Sequence, residues 1–238
     1  MTPSEEESVV HNIDAKEQFA TINGKSELLS DTAATKWRSL TRRRLKMFGG
    51  VPVAYGGGMM PTPCPDWVME LFGIMEKIKR DLGREDKFNH VLLNQYNDGM
   101  GIGAHKDGPL YEDIVFVLNL GGPAAIKFFE NEKDKDSRSW SVFLEERSLL
   151  IFSGDAYNNF YHEIEDTQED VIDSTFLNIP LTRVNIGDVI KRNPRRLSLT
   201  VRTVKLVSSV DSFMETPEQK AEMIRREQAF YQSISEKV

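Results

Sequence analysis

The sequence is poor in cysteine and in histidine. It has one cysteine, Cys64, in 238 residues, which excludes an intramolecular disulfide and a cysteine-rich zinc site. Its 4 histidines leave few candidates for imidazole chemistry. No apolar run approaches the roughly 20 residues of a membrane span, so no membrane partner is expected. The opening MTPSEEESVVHN is acidic and lacks the basic start and apolar centre of a signal peptide. Cytoplasm and nucleus are therefore the expected compartments. Positive charge is short as well: a net charge of -7 argues against a surface that binds long polyanions throughout. Apolar residues at 39% and charged residues at 28% describe a folded globular chain rather than a disordered one.

What is present divides by hydrophobic period. Residues 1–12 read as a solvated, disordered tail, and residues 13–238 as a single domain. In PDWVMELFGIMEKIKRDLG, the apolar Val68, Leu71, Phe72, Met75, Ile78 and Leu82 fall at helical spacing and form one core-facing stripe. Pro65 and Asp66 suit its first turn and Gly83 its end. A second helix, 217–236, is expected where Thr216 and Gln219 form a capping box around Pro217. Between these helices the period changes to two. NHVLLNQYN, DIVFVLNL, AAIKFFE, SWSVFLEE, SLLIFS and RLSLTVRTVKLV are short β-rich runs separated by turn residues and charge. Their links are too short for helical crossovers. The expected fold is mainly β with flanking helices: a sandwich, jelly roll or small barrel.

His105 and Asp107 stand two apart in GIGAHKDGPLYED. With 4 histidines and 37 acidic residues in 238, about 0.6 such pairs arise by chance, so the pair needs support. His162, after the strand SLLIFS, would complete two imidazoles and one carboxylate. That set occupies one face of an octahedral iron, and by ligand type alone it also suits zinc. Strand parity favours the iron reading. In RLSLTVR, Arg196, Ser198, Thr200 and Arg202 share one face, as Asn94 and Tyr96 do in HVLLNQY. Arginines six residues apart lie roughly 20 Å apart along a strand, placed to line a tube with a guanidinium at each end. A hydrolytic zinc site has no use for them.

NQY, HKD, the later His162 and RLSLTVR occur in the order and relative spacing of the AlkB-type Fe(II)/2-oxoglutarate dioxygenases. KWRSLTRRRLKMFGG, NHVLLNQYNDGMGI, HKDGPLYED and RSLLIFSGDAY resemble the sixth AlkB-homologue subgroup of animals and plants. The resemblance covers roughly residues 36 to 207. It implies a double-stranded β-helix, a relative of the jelly roll and cupin. It implies iron bound by His105, Asp107 and His162, with dioxygen as oxidant. It also implies 2-oxoglutarate held at its distal carboxylate by Arg196, with help from Tyr96 and Ser198, and with Arg202 and Asn94 toward the metal end. The implied reaction oxidises a C–H bond while 2-oxoglutarate becomes succinate and carbon dioxide. On an N-methyl group, the product breaks down to formaldehyde.

The substrate is read from a basic strip, Lys36, Trp37, Arg38, Arg42, Arg43, Arg44 and Lys46, which lies where the family places its nucleotide lid. It is a candidate to grip the phosphates of DNA or RNA. Against it, the acidic EIEDTQED directly follows His162. Three readings stand: an oxygenase of alkylated nucleic acid, a protein hydroxylase or demethylase of the same chemistry, and a nucleic-acid-binding module with little turnover.

Overall fold

The computed structural model describes residues 1–29, 36–53, 58–97, 99–207 and 225. The helix expected over 217–236 lies outside these. The chain opens with α1 (Pro3–Asp14), the hairpin β1 (Gln18–Ile22) and β2 (Lys25–Leu29), then β3 (Arg38–Ser39) and β4 (Arg44–Phe48). The hairpin β5 (Gly50–Val53) and β6 (Gly58–Pro61) leads into α2 (Asp66–Asp81). There follow β7 (His90–Asn97), β8 (Ile102–His105), β9 (Ile114–Leu120), β10 (Ala124–Asn131), β11 (Asp134–Leu144) and β12 (Ser148–Ser153). A short α3 (Asp155–Asn158) precedes β13 (Tyr161–Ile164), β14 (Glu169–Val171), β15 (Val189–Lys191) and β16 (Arg195–Arg202).

Two sheets form the body. A larger one has the order β12-β9-β16-β7-β4-β3, and a smaller one the order β11-β10-β13-β8. From β7 to β13 the chain passes back and forth between them, and β16 closes the larger sheet between β9 and β7. This alternation is a double-stranded β-helix, the fold expected from the motifs.

The larger sheet is covered on both faces, which explains why IVFVLNL reads as an unbroken apolar run. Ile114, Phe116 and Leu118 of β9, with Leu197, Leu199 and Val201 of β16, pack on Val68, Leu71, Phe72 and Met75 of α2. On the other face Val115 and Val117 meet Ile126, Phe128, Leu144 and Ile164 of the smaller sheet. Each side chain buried in this way contributes about 1.5–3 kcal/mol.

Two expectations are corrected. Residues 1–12 are not a tail, because α1 starts at a capping box. Thr2 accepts the Glu5 backbone N–H at 3.3 Å, and the Glu5 carboxylate accepts that of Thr2 at 2.7 Å. Ile13 then reaches the core, and Glu6 accepts from Gly121 N at 2.8 Å and Arg147 Nη1 at 2.9 Å. The apolar stripe of α2 also ends early. Ile78 and Leu82 are exposed, and Lys79 is buried in their place, bonded to Asp86 and to Thr203 Oγ1.

Candidate active site

The smaller sheet carries two of the expected ligands. His105 ends β8 and pairs directly with His162 of β13, bringing the ring centroids to 4.3 Å. Asp107 follows just past the strand. One ligand atom from each of His105, Asp107 and His162 lies within 4.8 Å of the others. The glycines before His105 serve close approach. A Cβ at Gly101 would stand 1.8 Å from the Ile164 carbonyl oxygen, and Gly99, at φ +75, would meet Thr167 O at 2.3 Å. Larger residues there would push β8 away from β13.

The protonation pattern suits a metal. The His105 Nδ1–H donates to Gly103 O at 2.8 Å, which leaves Nε2 with its lone pair. Burial pushes the His162 pKa down to about 3, and neighbouring His105 adds to it. Burial also lowers His105, so both rings are neutral near pH 7. Burial alone would raise Asp107, but Arg202, with His162 and His105, outweighs it and holds the carboxyl below its ordinary range. Arg202 Nη1 donates to Asp107 Oδ1 at 2.5 Å, and its guanidinium lies 3.9 Å over the Tyr111 ring. Asp107 Oδ2 and His162 Nδ1 are buried without a hydrogen-bond partner among the described residues.

The larger sheet supplies the other end. Register sets Arg196 opposite Tyr96 and Ser198 opposite Asn94, and parity sends Arg196, Ser198, Thr200 and Arg202 inward as expected. They line one pocket together with Asn94, Tyr96, His105, Asp107 and His162. Arg196 is 5% exposed. Its Nε donates to Asn119 Oδ1 at 2.6 Å, while Nη1 and Nη2 have no partner among the described residues. Burial brings its pKa down to about 10. Lys106, between two of the ligands, turns away from them: its Nζ donates to Asn158 O at 3.2 Å and lies over the Tyr161 ring.

The basic strip does not act as one surface. β4 alternates, so Arg44, Lys46 and Phe48 face the helical side of the larger sheet. Arg44 stacks 4.3 Å over Trp37 and donates to Gln95 Oε1 at 2.9 Å. Lys46 is buried and donates to Ile13 O at the end of α1 at 2.9 Å. Trp37 packs against the core cluster beneath the helices. For Trp37, Arg44 and Lys46, the expected grip on a substrate gives way to packing on the helical side. Lys36 and Arg38 stand at the start of the edge strand and have contacts of their own. Of the seven, Arg43 bonds a residue of the pocket, and Arg42 lies beside the loop that leads into β8. Arg43 Nε donates to Asn94 Oδ1 at 3.0 Å, and Arg42 pairs at 2.7 Å with Asp166, which also accepts from Gly101 N. The acidic segment after His162 is partly neutralised from within, since Arg192 holds both Asp170 carboxylate oxygens at 2.8 and 2.6 Å.

The motif reading missed Asn119. It is fully buried on the inner face of β9, behind Arg196. The signal was available: one amide inside an apolar strand needs a partner.

The donor set fits a borderline to hard divalent metal, with a carboxylate oxygen left open for it. The unpartnered Arg196 fork fits a carboxylate accepting two N–H bonds. A jelly-roll barrel with this pair of features is laid out as a metal oxygenase with a carboxylate cosubstrate. Comparison with known proteins is more specific. Residues 30–202 match the 2OG-Fe(II) oxygenase superfamily, and the chain belongs to it. It is 34% identical over 188 residues to the Danio rerio protein named Probable RNA/DNA demethylase ALKBH6, covering 75% of this chain and 78% of that one. It is 27% identical over 212 residues to the Arabidopsis thaliana protein named Alkylated DNA repair protein ALKBH8 homolog, covering 79% of this chain and 56% of that longer one. The solved structure of OsALKBH1 superposes with a TM-score of 0.46 at 17% identity, covering 70% of this chain and 83% of that one. The chain is an oxidoreductase of AlkB type.

Proposed function

We propose that this chain is an Fe(II)- and 2-oxoglutarate-dependent dioxygenase that removes alkyl groups from nucleic acid, acting in cytoplasm and nucleus. The observation that carries the reading is one pocket with His105, Asp107 and His162 at one end and the open Arg196 fork at the other. When bound, iron and 2-oxoglutarate supply an oxidant from dioxygen that converts an N-methyl group to a hydroxymethyl group, lost as formaldehyde.

The chain's own residues prepare that reaction. His105 and His162 offer neutral nitrogens, and Asp107 offers the oxygen that Arg202 does not occupy. Arg202 holds Asp107 ionised and fixes its rotamer, as a neighbour of a ligating carboxylate does. Arg196 takes the distal carboxylate of 2-oxoglutarate, with the Tyr96 ring beside it and Ser198 as a further hydroxyl within the pocket. Ile102, Leu144, Phe152 and Ile164 wall the pocket with apolar surface that excludes water.

The nucleic-acid substrate rests on two supports: the RNA/DNA demethylase name of the Danio rerio relative and the approach of Arg42 and Arg43 to the site. The test incubates the metal-loaded protein with 2-oxoglutarate and oligonucleotides bearing N-methylated bases, and follows succinate, formaldehyde and base mass. Succinate coupled to demethylation, and abolished by His105→Ala, is expected. Succinate coupled instead to hydroxylation of a peptide library, with the oligonucleotides untouched, would overturn the substrate.

A further inference from the structure

We infer that Asn119 is a positioning residue that aims the Arg196 fork and so makes the site select a dicarboxylate. The inference rests on the reading of Arg196 as the distal-carboxylate partner. Asn119 is 0% exposed and sits opposite Ser198 in the sheet register, on the same face as Arg196. Its Oδ1 accepts the Arg196 Nε–H at 2.6 Å. Its Nδ2 donates to Gly122 O at 2.9 Å and Glu145 O at 2.8 Å, with Leu144 O further off at 3.4 Å. Both amide atoms are thus committed in one sense. A flipped amide would set NH₂ against the guanidinium N–H and oxygen against carbonyls, so only one orientation is stable.

The consequence falls on Arg196. An arginine carries five N–H donors in a rigid plane, and fixing Nε fixes where Nη1 and Nη2 point. Those two nitrogens are buried and have no partner among the described residues. A buried donor without an acceptor costs free energy, and a carboxylate that accepts from both nitrogens removes that cost. An uncharged methyl in the same place does not. Selectivity for a second carboxylate therefore depends on the guanidinium being held in place before the cosubstrate arrives. The anchoring carbonyls belong to turns that other contacts also hold. Gly121 N donates to Glu6 of α1, and Asn193 Nδ2 donates to Gly121 O at 2.6 Å.

The experiment measures binding of 2-oxoglutarate and of 2-oxopentanoate, the same chain with a methyl in place of the distal carboxylate. It uses the Mn(II)-loaded, full-length protein and its Asn119→Leu, Asn119→Asp and Arg196→Met variants. Wild type is expected to prefer 2-oxoglutarate strongly. Asn119→Leu is expected to shrink that preference by about 10-fold or more, through 2-oxoglutarate alone, with Mn(II) affinity unchanged. Asn119→Asp, nearly identical in volume, places a carboxylate against Arg196 that competes with the ligand, and is expected to shrink it too. If the leucine variant does not fold, the aspartate variant decides. In wild type the Arg196 Nε–H is expected to exchange slowly with solvent before any cosubstrate is added; fast exchange would itself overturn the proposal. So would an unchanged preference in the Asn119 variants, or equal weakening of both ligands. Full preference retained in Arg196→Met would instead overturn the reading of Arg196, a result distinguishable from failure at Asn119.

Discussion

Arg202 is clamped between the Tyr111 ring and Asp107, and both members of the ion pair are almost fully buried. Arg202→Met would leave a buried carboxylate alone. The expected cost is about 3–5 kcal/mol in metal-free protein, read by denaturant unfolding. Added divalent metal is expected to restore part of that loss, because it gives Asp107 a new counter-charge. A second residue-scale expectation concerns His90, fully buried with neither ring nitrogen hydrogen-bonded among the described residues and with its pKa pushed well below the usual value by burial and by Arg202. The folded state keeps this ring neutral while the unfolded chain takes up a proton below about pH 6.5. Its contribution is therefore fully present above pH 6.5 and lost as pH falls, by up to about 1.4 kcal/mol per unit. Urea midpoints measured from pH 7 to 5 should decline, and His90→Phe should decline less steeply.

Elements show which parts of the fold were legible and which were not. β7, β9, β10, β11, β12 and β16 announced themselves by alternating or apolar runs, and α2 by its stripe and its flanking proline and glycine. The strands that hold the histidines did not. IGAH and YHEI have four residues each and too few apolar positions to show a period, so the ligands were found by spacing while their strands went unread. The acid-rich start of α1 looked like solvated chain because charge outweighed its capping box. The basic strip misled for another reason: composition counts cations, whereas the pleat of β4 sends Arg44 and Lys46 together to the helical side, away from the pocket. Two measurements follow. Ile13→Ala should destabilise the protein by about 2–5 kcal/mol, as for any fully buried isoleucine, whereas a disordered N-terminus would give no effect. Gly101→Ala forces a Cβ onto the Ile164 carbonyl and should part β8 from β13. Mn(II) affinity should fall at least about 10-fold, the range seen when a ligand's support is removed.

For the whole molecule, net charge is -7, so the proposed nucleic-acid substrate requires a local grip. Removing the charges of Arg42 and Arg43 should flatten the salt dependence of oligonucleotide binding by about one unit of slope for each phosphate no longer neutralised, while Arg44→Gln should leave the slope unchanged. The pocket has a further property at this scale. Both histidines come from the smaller sheet, whereas Arg196, Arg202, Tyr96 and Asn119 come from the larger one, and the Arg202–Asp107 ion pair bridges the two. A chain with its sheets apart has the metal ligands on one sheet and the residues that face the cosubstrate on the other. The metal ligands and the cosubstrate arginine therefore meet only when the barrel shuts, which ties the complete site to the closed fold.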